Sequence, residues 1–112
     1  MIEPTVIEYL IGELGIPVSG GVPADPSDTF ITVEKTGGRR SNRISASTLA
    51  IQSWAPSIAE AAALNDRVKA AMEAIVVLDS VSSCSLNTDY NFTDTARNRC
   101  RYQAVFELVH YN

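Results

Sequence analysis

The stretch Pro56–Leu78, "PSIAEAAALNDRVKAAMEAIVVL", decides the fold. Ser57 followed by Glu60 forms an S/T-x-x-E capping box, in which hydroxyl and carboxylate satisfy N–H groups that a helix start leaves without partners. Behind it Ile58, Ala61, Leu64 or Ala62, Val68, Ala71, Met72 and Ile75 recur at helical spacing, with Glu60, Asp66, Arg67, Lys69 and Glu73 mostly outside the stripe. A helix over this stretch spans about 34 Å at 1.5 Å per residue, comparable to a ten-residue strand at about 3.3 Å per residue. It can return the chain along the whole sheet, which predicts a right-handed crossover between two parallel strands.

Upstream, "DTFITVEKT" and "RISASTLAIQSWA" read as two strands of a hairpin, joined by a loop at Gly37 to Asn42. Downstream, "SVSSCSLNTDY" and "NRCRYQAVFELVHY" form a second hairpin around "NFTDTA". The last strand alternates: Cys100, Tyr102, Ala104, Phe106 and Leu108 face one way, Arg101, Gln103 and Glu107 the other. At the start, Thr5 and Glu8 make a second capping box behind Pro4, and Val6, Ile7, Leu10, Ile11 and Leu14 make an apolar stripe ending at a C-cap Gly15. Ile16 to Ser27, rich in Pro and Gly, is either a connector or carries a short edge strand at Pro17 to Ser19.

The expected fold is α+β: a single mixed β-sheet of about four to five strands with two helices packed on it, in the order α-β-β-α-β-β. With 112 residues the chain has room for one domain, residues 1–112. A composition 46% hydrophobic and 20% charged excludes a disordered chain. A net charge of -4 argues against a dedicated nucleic-acid binder but leaves room for local basic patches. The apolar runs fall short of the roughly 18 to 20 residues that span a bilayer, and "MIEPTVIE" lacks the basic and apolar regions of a signal peptide. The chain is expected to be soluble and cytosolic, with no membrane partner.

Charge is concentrated at the hairpins. Lys35, Arg39, Arg40 and Arg43 belong to the first and Arg97, Arg99 and Arg101 to the second, seven of the nine basic residues. The crossover places the two tips at opposite ends of the sheet, so one copy does not converge them into a single anion site. "VEKTGGRRSNRI" (residues 33–44) fails the phosphate-loop patterns, because its glycines lead into a strand and not a helix N-terminus. Three readings stay open for it: a solvated tip whose glycines supply positive φ, a partner contact, or a phosphate or nucleic-acid contact.

No catalytic residue is predicted. His110, the only histidine, reads as a strand-end or interface residue, Ser82, Ser83 and Ser85 lack a nucleophile-elbow context, and no carboxylate pair singles itself out. Glu8 and Glu60 are assigned to capping, and Asp25, Asp28, Asp89 and Asp94 to turns. Trp54 and Tyr102 read as core or interface aromatics. Cys84 and Cys100, opposite each other only if the hairpin turns near residue 92, are expected to be reduced and buried, and no zinc ligand set surrounds them. No cofactor is expected.

Taken together, "IEPTVIEYL", "FITVEKTGG" with its arginine loop, "LAIQSWAPSIAEAAALNDRVKAAM", "LNTDYNFTD" and "RYQAVFELVHY" resemble the tail terminator, or tail-completion, proteins of long-tailed phages and prophages. The resemblance covers nearly the whole chain as a pattern of segments. It implies a virion protein at the head-proximal end of the tail, forming a homo-hexameric ring. Such a ring binds the major tail tube protein, stops tube growth and faces the head-tail connector, with DNA passing transiently through the lumen. Our own reading of the residues assigns the interface to Lys35, Arg39, Arg40, Asn42, Arg43, Arg97 and Arg99. A head-closure or head-tail adaptor protein is the related alternative. A nucleic-acid module using both arginine hairpins is the alternative of another class, and it predicts steep salt dependence.

Overall fold

A computed structural model describes residues 2–96 and 99–111. The elements are α1 (Glu3–Leu14), β1 (Val18–Ser19), β2 (Phe30–Ser41), β3 (Ile44–Ala55), α2 (Ile58–Glu73) with a 3-10 turn at Ile75–Val77, β4 (Val81–Asn91) and β5 (Cys100–Tyr111). They form one mixed five-stranded sheet in the order β1-β2-β3-β5-β4, an α+β fold.

The crossover is as expected in direction, but its α-helix ends at Glu73 and not near Leu78, with a 3-10 turn at Ile75–Val77 beyond it. β3 and β4 both pair antiparallel to β5, so α2 connects two parallel strands and the last strand fills the gap between them. Ser57 caps α2, its Oγ accepting from the Glu60 amide at 3.2 Å. Ala61, Leu64, Val68, Met72 and Ile75 are buried as the stripe requires, whereas Ile58 stays exposed at the helix start. Asn65 is buried too, because it faces Asp89 of β4.

At α1 the capping box does not form. The helix starts at Glu3, with Pro4 in its first turn and the Val6 amide donating to Ile2 O at 3.0 Å. Proline is compatible with a first turn because the N–H it lacks has no helical partner there. Burial of Ile2 against the core draws the start upstream, and Thr5 and Glu8 lie inside the helix. Its C-cap is Gly15 at φ 68, as expected. Ile11 is exposed, so Ile2, Val6 and Leu10 hold the buried stripe.

Both helices cover one sheet face. Ile31 and Val33 of β2, Leu49 and Ile51 of β3, and Ala104, Phe106 and Leu108 of β5 join the helix stripes in one cluster. Each large side chain so buried contributes roughly 1.5 to 3 kcal/mol. Phe30, Thr32, Gln52, Trp54 and Gln103, offset by one residue, belong to the other face and are nevertheless buried. β1 pairs parallel to β2 at Ile31 and Thr32 only, so the possible edge strand at Pro17 to Ser19 exists as a two-residue stub.

Candidate functional site

The two hairpin tips lie at opposite ends of the sheet: Ile44 pairs with Tyr111 at one end of β3, and Ala55 with Cys100 at the other. The expected basic residues are thus divided between two surfaces. Those surfaces differ in construction.

The first is the tip half of the β2–β3 hairpin, the arm, which β5 flanks as far as Ile44 opposite Tyr111. β2 does not stop at a glycine loop; it runs to Ser41, with Gly37 and Gly38 paired to Thr48 and Ser47. The turn is only Asn42 and Arg43, and Asn42, not a glycine, takes the left-handed conformation at φ 55. Asparagine tolerates this region because its short polar side chain can bond the local backbone. A bulge at Thr36 shifts the register. Because side chains alternate along a strand, that extra residue puts Arg40 on the helix side opposite Ser45, and Arg39 on the open side. Gly38 is needed for a different reason: a Cβ there would sit 2.9 Å from Lys35 Cε and 3.1 Å from Ala46 O, so the missing side chain lets Lys35 lie across the arm.

Lys35, Gly38, Arg39, Arg40, Ser45 and His110, with Ile2, line an open cleft of about 380 Å³. Among the described residues Lys35, Arg39, Arg40 and Arg43 form no ion pair. Four cations are therefore carried on one arm without a salt bridge, and the one carboxylate that shares a hollow with Arg39, that of Glu107, accepts from Thr48 Oγ1 at 2.9 Å, an arrangement that suits attraction of further acidic groups from outside.

His110 is the part of this cleft with a recognisable chemical partner. Its Nε2 lies 2.8 Å from Ser47 Oγ, and Nδ1 lies 3.4 Å from its neighbour's carbonyl, Tyr111 O. A hydroxyl beside an imidazole is the start of a nucleophilic site. Here Ser47 is 1% exposed, so an incoming carbonyl carbon has no approach, and the pair pins β5 to β3. Proximity of Ser47 to His110 is set by strand register across 63 residues, which no local motif announces.

The second surface is a row of stacked rings and guanidinium. Phe30 and Trp54 stack at 5.3 Å with planes 10° apart. Arg101 lies between two rings, its Cζ 4.7 Å from the Trp54 centroid and 4.2 Å from that of Phe92, and its Nε donates to Phe92 O. Arg99 approaches Phe30 at 5.9 Å, and Tyr90 meets Phe92 edge-on. Arg101 is thus packed on two aromatic faces, whereas Arg99 lies at the outer limit of such a contact. Arg97 lies outside the described residues.

Next to this row runs a chain of hydrogen bonds across four strands. Trp54 Nε1 donates to Thr32 Oγ1 at 3.1 Å, Thr32 donates to Gln52 Oε1, Gln52 Nε2 donates to Gln103 Oε1 at 2.7 Å, and Gln103 Nε2 donates to the Tyr90 hydroxyl. All donors point one way, so each bond polarises the next. Alternation along β5 put Gln103 on the right face; the chain itself appears only when the register brings Thr32, Gln52, Gln103 and Tyr90 into line.

Between the ends, Asp89 ties the edge strand to α2. Its Oδ2 accepts from Asn65 Nδ2 and Lys69 Nζ, both at 2.9 Å, and Lys69 also pairs with Asp66 at 3.2 Å. The Lys69 bond holds the Asp89 carboxyl below its ordinary pKa, and the Asp89 and Asp66 bonds hold Lys69 above its own. Asp89 is therefore a strand-to-helix contact and not a turn residue. Asp94 does serve a turn, accepting from the Ala96 amide at 3.1 Å.

The cysteines are free and do not face each other. The second hairpin pairs Tyr90 with Gln103, which sets Cys84 opposite Leu108, while Cys100 pairs with Ala55 near the tip. Burial pushes the Cys84 thiol up to about 11, so it stays protonated at neutral pH. No group of three metal-ligating side chains forms among the described residues, and no helix there is long and apolar enough to cross a membrane.

No protein-family model matches the chain, and no curated protein matches it.

Proposed function

We propose that this chain is a structural assembly protein, the subunit of a ring that terminates a phage tail tube. In this reading copies join head to tail, six to a ring. The ring binds the last ring of the tube, stops its polymerisation and offers its other side to the head-tail connector. The observation that carries the reading is the unlike character of the two sheet ends: an arm of unpaired cations at one and a packed arginine-aromatic row at the other. Copies joined side by side in one orientation carry the two ends on opposite sides of the ring, so unlike ends suit unlike partners there, the tube on one side and the connector on the other. The segment-by-segment resemblance to tail terminators points the same way.

The test is the mass of the protein across a concentration series, alone and with tail-tube protein, together with images of the particle. Closed rings that cap purified tubes are the expected result. A strict monomer under all these conditions overturns the reading, and binding to portal complex in place of tube moves the protein to the head-closure side of the junction. Reversing Arg39, Arg40 and Arg43 together to Glu should leave the melting temperature nearly unchanged, since exposed substitutions shift stability by about 0.5 kcal/mol or less each. The same change should abolish ring formation.

A further inference from the structure

The sheet has two free edges, and their directions are complementary. β4 is one edge along its whole length, from Val81 to Asn91. On the other side β1 covers β2 only at Ile31 and Thr32, which leaves Val33–Ser41 of the arm unpaired on its outer side. β2 and β3, β3 and β5, and β5 and β4 are each antiparallel, so β2 and β4 run in opposite directions. A second copy set beside the first in the same orientation therefore brings its β2 against β4 in antiparallel order, with helix faces aligned.

Edge strands are commonly blunted by bulges, of which β4 has two, and by lysine or proline, which discourage pairing with another chain. β4 has no lysine and no proline: its eleven residues are Ser, Thr, Asn, Val, Cys, Leu, Tyr and one Asp, and that Asp89 is bonded to α2. The nine unpaired residues of the arm reach about 30 Å at 3.3 Å each, a length that eleven residues of β4 can match.

Charge complements direction. Arg39 and Arg40 point to opposite faces of the arm. Beside β4, Glu73 lies on the helix face and exposed Glu107, paired with Ser85, on the open face. Glu73, Lys69, Cys84, Leu86 and Phe106 also line a hollow of about 360 Å³ against the edge, where Leu86 is left 45% exposed. An added strand would cover it.

We propose that β4 of one copy takes the Val33–Ser41 edge of the next copy as a further antiparallel strand, so that one sheet runs on from subunit to subunit. The proposal rests on the ring reading and specifies its contact. The two bulges in β4 provide a probe of the backbone. Ser82 and Asn87 are the extra residues in the β4–β5 register and have no partner on β5, and a bulge is one of the few places in a strand that accepts proline.

Hydrogen exchange read by mass spectrometry, on the full chain dilute and assembled, should show protection rising by about tenfold or more in both 33–41 and 81–91 on assembly. Asn87→Pro and Ser82→Pro should keep the monomer's melting behaviour and lose assembly. Rings whose two edges gain no protection, or a folded Asn87→Pro protein that assembles as the parent does, overturn the strand-addition contact while the ring itself stands. If a proline variant fails to fold, the exchange measurement on the parent decides alone. A chain that stays monomeric at every concentration and with tube protein overturns both the contact and the ring.

Discussion

Arginines at the two ends of this sheet have opposite surroundings. At the arm, Arg39, Arg40 and Arg43 are exposed and make no ion pair among the described residues. At the far end Arg101 is held between Trp54 and Phe92, and Arg99 approaches Phe30. A guanidinium in water contributes little to folding and much to long-range attraction, whereas one stacked on rings contributes to packing and loses its freedom to recruit a partner. The comparison shows that a cluster of basic residues in sequence is not one functional unit; what lies across the strand decides.

The comparison breaks most visibly at Trp54. Replacing it by Ala removes the ring against which Phe30 and Arg101 pack and deletes the first donor of the hydrogen-bond chain, so that Thr32 Oγ1 no longer accepts from it. A loss of about 3 to 5 kcal/mol in urea unfolding is expected, as for other buried aromatic truncations, against a near-zero change for Arg40→Ala. Equal effects at the two ends would erase the distinction.

A narrower cut is Arg101→Ala, which deletes both ring contacts and the bond to Phe92 O. It should cost about 1 to 2 kcal/mol, and Arg101→Lys should recover only part of this because an ammonium lacks the flat face that fits between two rings. Full recovery by lysine would mean that charge alone matters at this end too.

Lys69 and Asp89 sharpen the comparison with a charged pair of intermediate burial. Asp89 is held below its ordinary value of 3.8, so its stabilisation is present above pH 3.8 and is lost as pH falls through the lower folded value. Lys69 is held above 10.5, so its share is present below pH 10.5 and is lost as pH rises through the higher folded value. Lys69→Met should therefore cost up to about 1 kcal/mol at neutral pH, with the gap to the parent closing below about pH 4. A gap that persists unchanged at pH 2 would assign the loss to packing of the lysine stem.

Much of the architecture is legible in the residues. Ser57 and Glu60 announce the start of α2 and its apolar spacing announces the buried face; its expected length does not hold, because the α-helix ends at Glu73 and a 3-10 turn at Ile75–Val77 carries the chain on toward β4. Less legible was whatever depended on competition between local signals and burial. The Thr5-x-x-Glu8 pattern is as good a capping box as Ser57-x-x-Glu60, yet it is overruled because Ile2 reaches the core and Pro4 fits a first turn. Gly37 and Gly38 look like a loop, yet Gly38 is spent on the passage of Lys35 and the turn falls to Asn42.

Periodicity and capping, which act over a few residues, determined from the sequence alone the element order, the buried stripes and the placement of seven of the nine basic residues at two hairpins. Strand register and the approach of distant segments decided the rest: the contact of Ser47 with His110, the line of donors from Trp54 to Tyr90, the capture of Arg101 between two rings, and the separation of Cys84 from Cys100. Each depends on which residue stands opposite which across a sheet, and a one-residue bulge is enough to change it. That is why local patterns predicted the strands, while only the folded sheet revealed which arginines remain available to a partner.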